Sequence, residues 1–422
     1  MNKNESDWML YSVVAVAVGL IGYGSTTAFA NGLRNPPESA SGLGAVGARY
    51  TLVEDASAMA YDPANLTKVE KPSAMVSVDF IHSETEYTSP LGASSKTKDA
   101  WKTLPDVFVA YPLKGCVFGI GITTPFGQST VWDQNSVFSF TAPYFAELKV
   151  VNFNPTIAAK LTDDIAVGAG LDVFWSQLDM RQLLPWGLMT HNRMDRPGVA
   201  KFKGDGEGVG ANVGLTWQIT PRQTLGLSYR SPVKVDYNGD FQASDIPPSL
   251  QMAVAAKSDF GTSIEFPDIV GLGYAVKVTD ALRVGVDIER IRFSKFDSLN
   301  LDIGRDSMLL PSSTVPEQWA DIWTAGFGAA WQVAPEWTLR GGYIFMQSPV
   351  PDQTLAPILP DSDQHVVSAG VGYRKGGQTV DLTYAISFNQ DRSIADNVNP
   401  AYNGEYRVKT SHMLQLAYGL SF

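Results

Sequence analysis

From Ser73 to the C-terminus, apolar residues alternate with small or polar ones. The final segment shows this most clearly, with Leu414, Leu416, Tyr418 and Leu420 on one face and small or polar residues between them. The same alternation recurs in residues 151–161, 167–175, 213–219, 282–288 and 339–343. An apolar outer face with a small or polar inner face is typical of a lipid-exposed barrel. We therefore predict an all-β, antiparallel transmembrane barrel rather than a β-sandwich.

The lengths of the connections indicate how these strands are joined. Short joins lie at residues 112–115, 162–164, 220–222, 278–280, 334–335 and 375–377. Long connections lie at residues 82–102, 125–147, 179–207, 238–260, 300–317, 349–365 and 389–409. Because short and long joins alternate without a break, they predict fourteen strands with tight periplasmic turns and long external loops. A barrel of that size has a lumen wide enough to hold a plug.

The segment before the first strand does not alternate. Residues 39–66 are rich in Ala and Gly and contain Asp62-Pro63-Ala64, where Asp62 is predicted to cap a helical turn that begins at Pro63. We expect residues 31–72 to form a compact plug, or hatch, and residues 73–422 to form the barrel. Since the plug precedes the wall, it must lie inside the lumen if the wall closes.

The first thirty residues are typical of a cleaved secretory signal. Lys3 precedes an apolar run from Trp8 to Ile21, and the small residues that follow it end in Ala28-Phe29-Ala30. An uncleaved membrane anchor is the alternative, but the run is shorter than the roughly 20 residues that span a bilayer. We predict export, and therefore an outer-membrane location in a Gram-negative bacterium.

Charge and motif content exclude several functions. The net charge of -11 argues against nucleic acid as a partner. Four scattered histidines and a single cysteine, Cys116, offer no metal-binding spacing, and there is no G-x-S-x-G motif, so we expect no metal, no cofactor and no enzyme. The glycines of Gly42-x-Gly44-x-x-Gly47 follow no strand, so they indicate close packing inside the plug rather than a dinucleotide site.

Two external loops carry apolar residues that predict capture of a hydrophobic ligand. These residues are Leu184, Trp186, Leu188 and Met189 in the loop at 179–207, and Ile246, Leu250 and Met252 in the loop at 238–260, where the spacing after Ser249 is helical. Packing of the two loops against each other as a lid is the alternative, and the two interpretations are compatible.

Inward-facing arginines provide candidate partners for a ligand carboxylate. They are Arg230, Arg283, Arg340 and Arg374. The alternative is that they form ion pairs with lumen acids such as Asp172, Asp287, Glu289 and Asp381.

These residues together resemble the FadL-type outer membrane transporters of long-chain fatty acids and hydrocarbons. The resemblance covers essentially the whole mature chain. It rests on the hatch residues Ser41-Gly42-Leu43-Gly44, Asp55-Ala56 and Pro63-Ala64, and on Phe153-Asn154-Pro155, Leu227-Ser228-Tyr229-Arg230-Ser231, Thr338-Leu339-Arg340, Ser348-Pro349-Val350-Pro351 and Pro360-Asp361-Ser362-Asp363.

The resemblance implies ligand capture between the two apolar loops, transfer to a lumen pocket, rearrangement of the hatch and lateral exit at the third strand. The implied hatch and gating residues are Gly42, Gly44, Asp55, Asp62, Pro63 and Ala64. The implied lateral opening lies at Gly119, Gly121 and Pro125. Arg181, Arg230 and Arg340 are the implied carboxylate ligands.

The chain departs from the family pattern in the hatch and at the expected basic residues. It has Asp62-Pro63-Ala64 where the family usually has Asn-Pro-Ala, which bears on hydrogen bonding, charge and gating at the plug. Arg181 meets one expected basic position only approximately, and Ala320 stands at the other, which favours a neutral hydrocarbon over a carboxylate. We expect a monomer in contact with outer-membrane lipid and lipopolysaccharide that takes up hydrophobic small molecules passively. Long-chain fatty acids are the first expectation. Neutral aromatic or alkane hydrocarbons, a non-transporting structural barrel and an outer-membrane hydrolase are the alternatives.

Overall fold

The computed structural model describes residues 32–98, 100–192, 194–304 and 312–422, and most of them lie in strands. The predicted signal peptide lies outside the described residues. In chain order the strands are β1 (Ser73–His82), β2 (Thr85–Thr88), β3 (Ser94–Lys98), β4 (Trp101–Leu113), β5 (Cys116–Thr123), β6 (Gly127–Trp132), β7 (Phe145–Lys160), β8 (Ile165–Leu184), β9 (Gly198–Thr220), β10 (Gln223–Arg230), β11 (Val233–Ala243), β12 (Lys257–Phe266), β13 (Asp268–Lys277), β14 (Leu282–Arg292), β15 (Ser298–Ile303), β16 (Ser313–Pro316), β17 (Ile322–Ala334), β18 (Trp337–Met346), β19 (Gln364–Lys375), β20 (Gln378–Asn389), β21 (Arg392–Ile394), β22 (Gly404–Val408) and β23 (Ser411–Ser421).

Fourteen of the strands in these described ranges form the wall of a closed antiparallel barrel. They are β1, β4, β5, β7, β8, β9, β10, β13, β14, β17, β18, β19, β20 and β23, each paired with the next. Closure comes from β1 and β23, which pair from Ser73 with Ser421 to His82 with His412. The predicted strand number is confirmed. Closure removes the free sheet edges that lipid does not tolerate.

The alternation along the strands sets the two faces of the wall as predicted. Aromatic side chains project outward and are exposed, among them Trp175, Trp217, Trp323, Trp331, Trp337, Tyr384 and Tyr418. Cys116 lies on the outward face of β5 with the exposed Phe118 and Ile120. No helix in the described ranges is both long enough and apolar enough to cross a membrane.

The six tight turns lie where the sequence predicts them, but two predicted loops are wrong in extent. β8 and β9 stay paired as far as Leu184 opposite Gly198, and β11 and β12 stay paired as far as Gln242 opposite Lys257. Much of each predicted loop is therefore a strand ribbon, because ladder hydrogen bonds continue where the apolar alternation ends. The helix expected after Ser249 is only a 3-10 turn at Pro248–Leu250.

The segment before β1 packs against the inner face of the wall on all sides. It contains short helices at Ala40–Gly44 and Arg49–Leu52 and 3-10 turns at Ala56–Ala60 and Pro63–Lys68. The Ala56–Ala60 turn contacts β1, β4 and β5, and the Pro63–Lys68 turn contacts β5, β7, β8 and β9. The Arg49–Leu52 helix contacts β10, β13, β14 and β17, and the Ala40–Gly44 helix contacts β18, β19, β20 and β23. This segment, the plug, therefore contacts every wall strand.

One inward carboxylate holds several parts of the plug. Glu289 of β14 accepts two hydrogen bonds from the guanidinium of Arg34, at 2.8 and 3.0 Å. The same carboxylate lies 3.0 Å from Arg49 and accepts a 2.6 Å hydrogen bond from the Tyr50 hydroxyl. Thr324 of β17 donates a further bond of 2.8 Å. Because Arg49 and Glu289 are almost fully buried, loss of either partner leaves an uncompensated charge.

We predict that Glu289→Ala loosens the plug. Removing one partner of a buried ion pair costs about 3–5 kcal/mol, which raises the population of the displaced plug by two orders of magnitude or more at roughly 1.4 kcal/mol per factor of ten. The measurement is the rate of trypsin cleavage within the plug of the folded, detergent-solubilised protein.

The matched control is Glu265→Ala, since Glu265 forms an exposed pair with Lys295 at 2.9 Å. Such a pair contributes about 0–1 kcal/mol, so cleavage of the plug is expected to stay close to the wild-type rate. Equal cleavage of the Glu289 and Glu265 variants would contradict the anchoring role.

Candidate functional site

Two strand ribbons, β8–β9 and β11–β12, extend beyond the wall at the long-loop end and pack together. Trp186 is fully buried between them, and its Nε1 donates to the carbonyl of Ser244 at 2.9 Å. Leu184 is buried in the same apolar cluster, and Met189, Ile246 and Leu250 pack against it. The structure therefore shows the lid arrangement for these residues. Leu188 and Met252 remain exposed on the outer surface.

Below this lid lies an apolar cavity of about 70 Å³. Its lining is Leu33, Gln128, Ala146, Glu147, Leu148, Leu178, Met180, Ile264, Phe296, Leu299, Glu317, Trp319, Val350, Ala356, Ile358 and Leu359. We call this cavity the apolar pocket. A cavity that holds benzene is roughly 150 Å³, so a ligand of that size requires side chains such as Met180 to move. A methionine can make room for a ligand because its side chain is unbranched and flexible.

The wall is interrupted between β5 and β6, at the predicted position of Pro125. Thr123 of β5 pairs with Asn152, and Gly127 of β6 pairs with Lys149. The three residues between Thr123 and Gly127 therefore face only two residues of β7. On the other side, the ladder between β4 and β5 ends at Val107 opposite Ile122. Pairing resumes only where Lys98 of β3 meets Val131 of β6. We call the unpaired stretch between residues 101–106 and 124–130 the window.

Side chains and the plug satisfy the backbone groups that the window leaves without a ladder partner. Asp106 accepts from the Thr124 amide at 2.8 Å. Asn35 donates from Nδ2 to the Thr124 carbonyl at 2.8 Å and from its amide to the Pro125 carbonyl at 3.0 Å. The Gly127 amide donates to the Leu33 carbonyl at 2.8 Å. Residues 33–35 thus lie across the window as a short strand-like segment, in which Arg34 forms an isolated antiparallel bridge with Phe126.

The predicted glycines of β5 let the plug approach the wall closely beside the window. A Cβ atom at Gly119 would lie 2.6 Å from Cε of Met59, and one at Gly121 would lie 3.1 Å from its sulfur. Met59 is buried in the Ala56–Ala60 turn of the plug. A larger residue at either position would therefore require the Met59 side chain to move.

The three arginines predicted as carboxylate ligands already have acidic partners. Arg181 pairs with Asp179 at 2.8 Å, Arg230 with Asp172 at 3.4 Å and Arg340 with Asp381 at 2.5 Å. Arg340 lies in a separate polar cavity of about 320 Å³ between the plug and the tight-turn end of the wall. None of the three lines the apolar pocket. The structure therefore shows these three arginines in ion pairs, which was the predicted alternative to binding a ligand carboxylate.

The sequence model of a family described as "Outer membrane protein transport protein (OMPP1/FadL/TodX)" matches residues 21–422. The chain belongs to this family. It is an outer-membrane β-barrel protein, as expected from the sequence.

The relatives match this FadL-family protein over nearly the whole length of both chains. The "Long-chain fatty acid transport protein" of Escherichia coli O6:H1 is 26% identical over 436 residues, which cover 94% of this chain and 92% of the relative. A crystal structure of a Pseudomonas aeruginosa FadL homologue superposes with a TM-score of 0.81 at 20% identity, covering 93% of this chain and all of the other. The Ralstonia pickettii toluene transporter TbuX gives a TM-score of 0.69 at 20% identity, covering 93% and 99%. The structural likenesses establish the fold.

The hatch residues of this FadL-family protein lie where plug and wall meet. Gly42 packs against the ring of Tyr61, and Gly44 lies beside Thr383 and Arg340 of the wall. Asp55 caps the Ala56–Ala60 turn by accepting from the Ser57 amide at 2.8 Å, and it also accepts from Ser41.

Asp62, Pro63 and Ala64 confirm the predicted helical cap. Oδ1 of Asp62 accepts from the Ala64 amide at 3.0 Å, and Pro63 begins the 3-10 turn. Oδ2 accepts from the Thr216 hydroxyl at 3.0 Å, although that hydroxyl also lies 2.9 Å from Oδ1 of Asn65. Thr216 has one proton for these two acceptors, so one carboxylate oxygen competes with an amide oxygen. Asp62 is fully buried and has no ion pair in the part of the chain that the structure describes.

Sequence analysis missed several residues that the structure brings to the site. Arg34, Asn35, Asp106 and Glu317 were not singled out, and Glu289 was named only as one of several lumen acids. Asn35 and Glu317 lie in segments without periodicity, so no pattern marked them. The inward position of Asp106 on β4 could have identified it from the sequence, since a buried carboxylate requires a hydrogen-bond or ion-pair partner.

We predict that Asp62→Asn stabilises the plug. An amide at this position could donate to Thr216 while Thr216 donates to Asn65, so every group would be paired. Relief of the buried carboxylate is expected to contribute roughly 1–3 kcal/mol. The measurement is slower trypsin cleavage within the plug at neutral pH.

Asp55→Asn is the matched control, because the Asp55 carboxylate is only partly buried and accepts from Ser41 and Ser57. No gain in protection is expected there. Faster cleavage of the Asp62→Asn protein than of wild type would show that the charge is needed.

Proposed function

We propose that this protein takes up hydrophobic small molecules across the outer membrane by passive diffusion and releases them sideways into the bilayer. Capture takes place at the outer ribbons, where Leu188 and Met252 are exposed. The ligand then moves into the apolar pocket, and it leaves through the window in the wall. Transfer of apolar surface from water to the pocket and then to lipid is favourable at roughly 25 cal/mol per Å², so the route requires no energy source.

The observation that carries this proposal is the position of residues 33–35. Leu33 lines the apolar pocket. Arg34 lines a second cavity of about 20 Å³ that also contains Pro125 and Phe126 at the strand break. The pocket and the window are therefore separated by this short strand of the plug. Movement of residues 33–35 would connect them.

The contacts of residues 33–35 define what must break for a ligand to pass. The hydrogen bonds from Asn35 to residues 124 and 125 close the window directly. The Arg34 pair with Glu289 holds the same strand to β14. Because Glu289 also binds Arg49 and Tyr50, displacement of residues 33–35 is coupled to the rest of the plug.

Two substrate classes fit this route. Relatives named for long-chain fatty acid transport and neighbours named as toluene transporters support acids and neutral hydrocarbons respectively. Arg34 and Arg230 line the cavity at the strand break, which favours passage of an acid. Both guanidinium groups are already paired, Arg34 with Glu289 and Arg230 with Asp172, which favours neutral compounds.

We predict that deletion of Pro125 abolishes uptake without abolishing ligand binding. The deletion leaves two residues facing two residues of β7, which removes the register shift. The strand can then continue without a break and extend its ladder with β4 across the window. The measurement is uptake of radiolabelled oleate and toluene by cells without another transporter of this family, with equilibrium binding to the purified protein beside it.

Pro125→Ala is the matched control, since it keeps the extra residue and the register shift. Most of the uptake is expected to remain in that variant. Full uptake by the deletion variant would overturn the lateral route and place the exit elsewhere, for example through the plug.

A further inference from the structure

We propose that Glu317 makes the apolar pocket selective for uncharged amphiphiles, molecules with an apolar body and one hydroxyl or carbonyl group, over carboxylates. The inference rests on the proposed function, because it assigns a substrate class to the same pocket.

The backbone of Glu317 is fixed on both sides, so the side chain has a defined position. Its amide donates to the Asp297 carbonyl at 2.8 Å. Its carbonyl accepts from the Thr354 hydroxyl at 2.5 Å. Both contacts come from segments outside the wall strands.

The carboxyl group of Glu317 has one hydrogen-bond partner among the described residues. Oε2 accepts from Trp319 Nε1 at 3.0 Å. In the same part of the chain, no Lys, Arg or His lies within ion-pair distance of the carboxylate. Glu317 is 8% exposed and lines the pocket, so its second oxygen can bind a ligand that enters this space.

The surroundings of Glu317 are largely apolar. Burial raises the pKa of its carboxyl group to about 7. Tyr402 lies close enough to interact with it, and the phenol stays neutral because burial raises its pKa to about 12. Glu147 is the other acidic residue in the lining of the same pocket. Glu147 is paired with Lys149 at 3.1 Å. Asp297 contributes only its backbone carbonyl.

These features favour a neutral polar group and oppose an anion. A protonated carboxyl can donate to a ligand hydroxyl or carbonyl, and an ionised one can accept from a ligand hydroxyl. A ligand carboxylate would instead face a like charge in an apolar environment, or would have to share a proton with Glu317. The arginines at residues 181, 230 and 340 lie outside the pocket lining and cannot compensate.

The experiment compares octane, 1-octanol and octanoate in equilibrium dialysis with the purified full-length protein and with its Glu317→Gln and Glu265→Gln variants. Gln keeps the acceptor for Trp319 and removes the charge. At pH 8 we expect wild type to prefer octanol over octanoate by about tenfold or more, and Glu317→Gln to bind octanoate about tenfold more tightly with octanol affinity nearly unchanged. Glu265→Gln is expected to behave like wild type, because Glu265 lies outside the pocket lining and pairs with Lys295.

A pH series on the wild-type protein provides a second readout that needs no variant. Octanoate is ionised at pH 6 and at pH 8, whereas Glu317 loses its proton between these values. The preference for octanol is therefore expected to grow as the pH rises through about 7 and to stay flat in Glu317→Gln.

The possible failures are distinguishable. Binding of octane with equal affinity for octanol and octanoate, unchanged by pH and by Glu317→Gln, would overturn the selectivity and leave the proposed uptake standing. Failure of wild type to bind any of the three compounds would overturn the proposed function and this inference together.

Discussion

A strand wall in lipid must satisfy every backbone N–H and C=O within the protein, because the hydrocarbon core offers no water to replace a missing partner. The strand β4 is 13 residues long. Across the window, its backbone groups do not form ladder hydrogen bonds with the interrupted strand made of β5 and β6. The groups at residues 124–127 bind Asp106, Asn35 and Leu33 instead. The plug is therefore part of the wall at this point. Any movement that frees the window must also rearrange the plug, which is why capture and exit are coupled.

Two glutamates show how environment divides the roles of one residue type. Glu289 lies among Arg34, Arg49, Tyr50 and Thr324, and its charge holds plug and wall together. Glu317 lies among apolar side chains, and in the described part of the chain its carboxyl group has only Trp319 as a partner. Both oxygens of the Glu289 carboxylate accept hydrogen bonds from protein groups. The second keeps an oxygen for a ligand, and burial without a cation brings its pKa near neutrality.

Small inward residues decide how closely the plug approaches the wall. A Cβ atom at Gly168 would lie 2.4 Å from the backbone of Pro63, and one at Gly214 would lie 2.0 Å from the carboxylate of Asp62. The hatch turn therefore occupies space that only glycine leaves open. Opposite it, Met59 fills the space above Gly119 and Gly121. At these positions wall and plug therefore fit as one packed interior.

The sequence by itself determined the barrel, since period-two alternation and the sequence of short and long joins fix strand number, facing and topology through local chemistry. It also determined the Asp62 cap, the inward glycines of β5 and the strand break at Pro125, because each depends on a residue's own conformational or steric properties. Only the tertiary structure decided which acid meets which arginine, because residues such as Arg34 and Glu289 are 255 positions apart. It also decided that most of the apolar loop residues form a lid and that Glu317 borders the pocket, since burial and ion pairing depend on neighbours that no local pattern specifies.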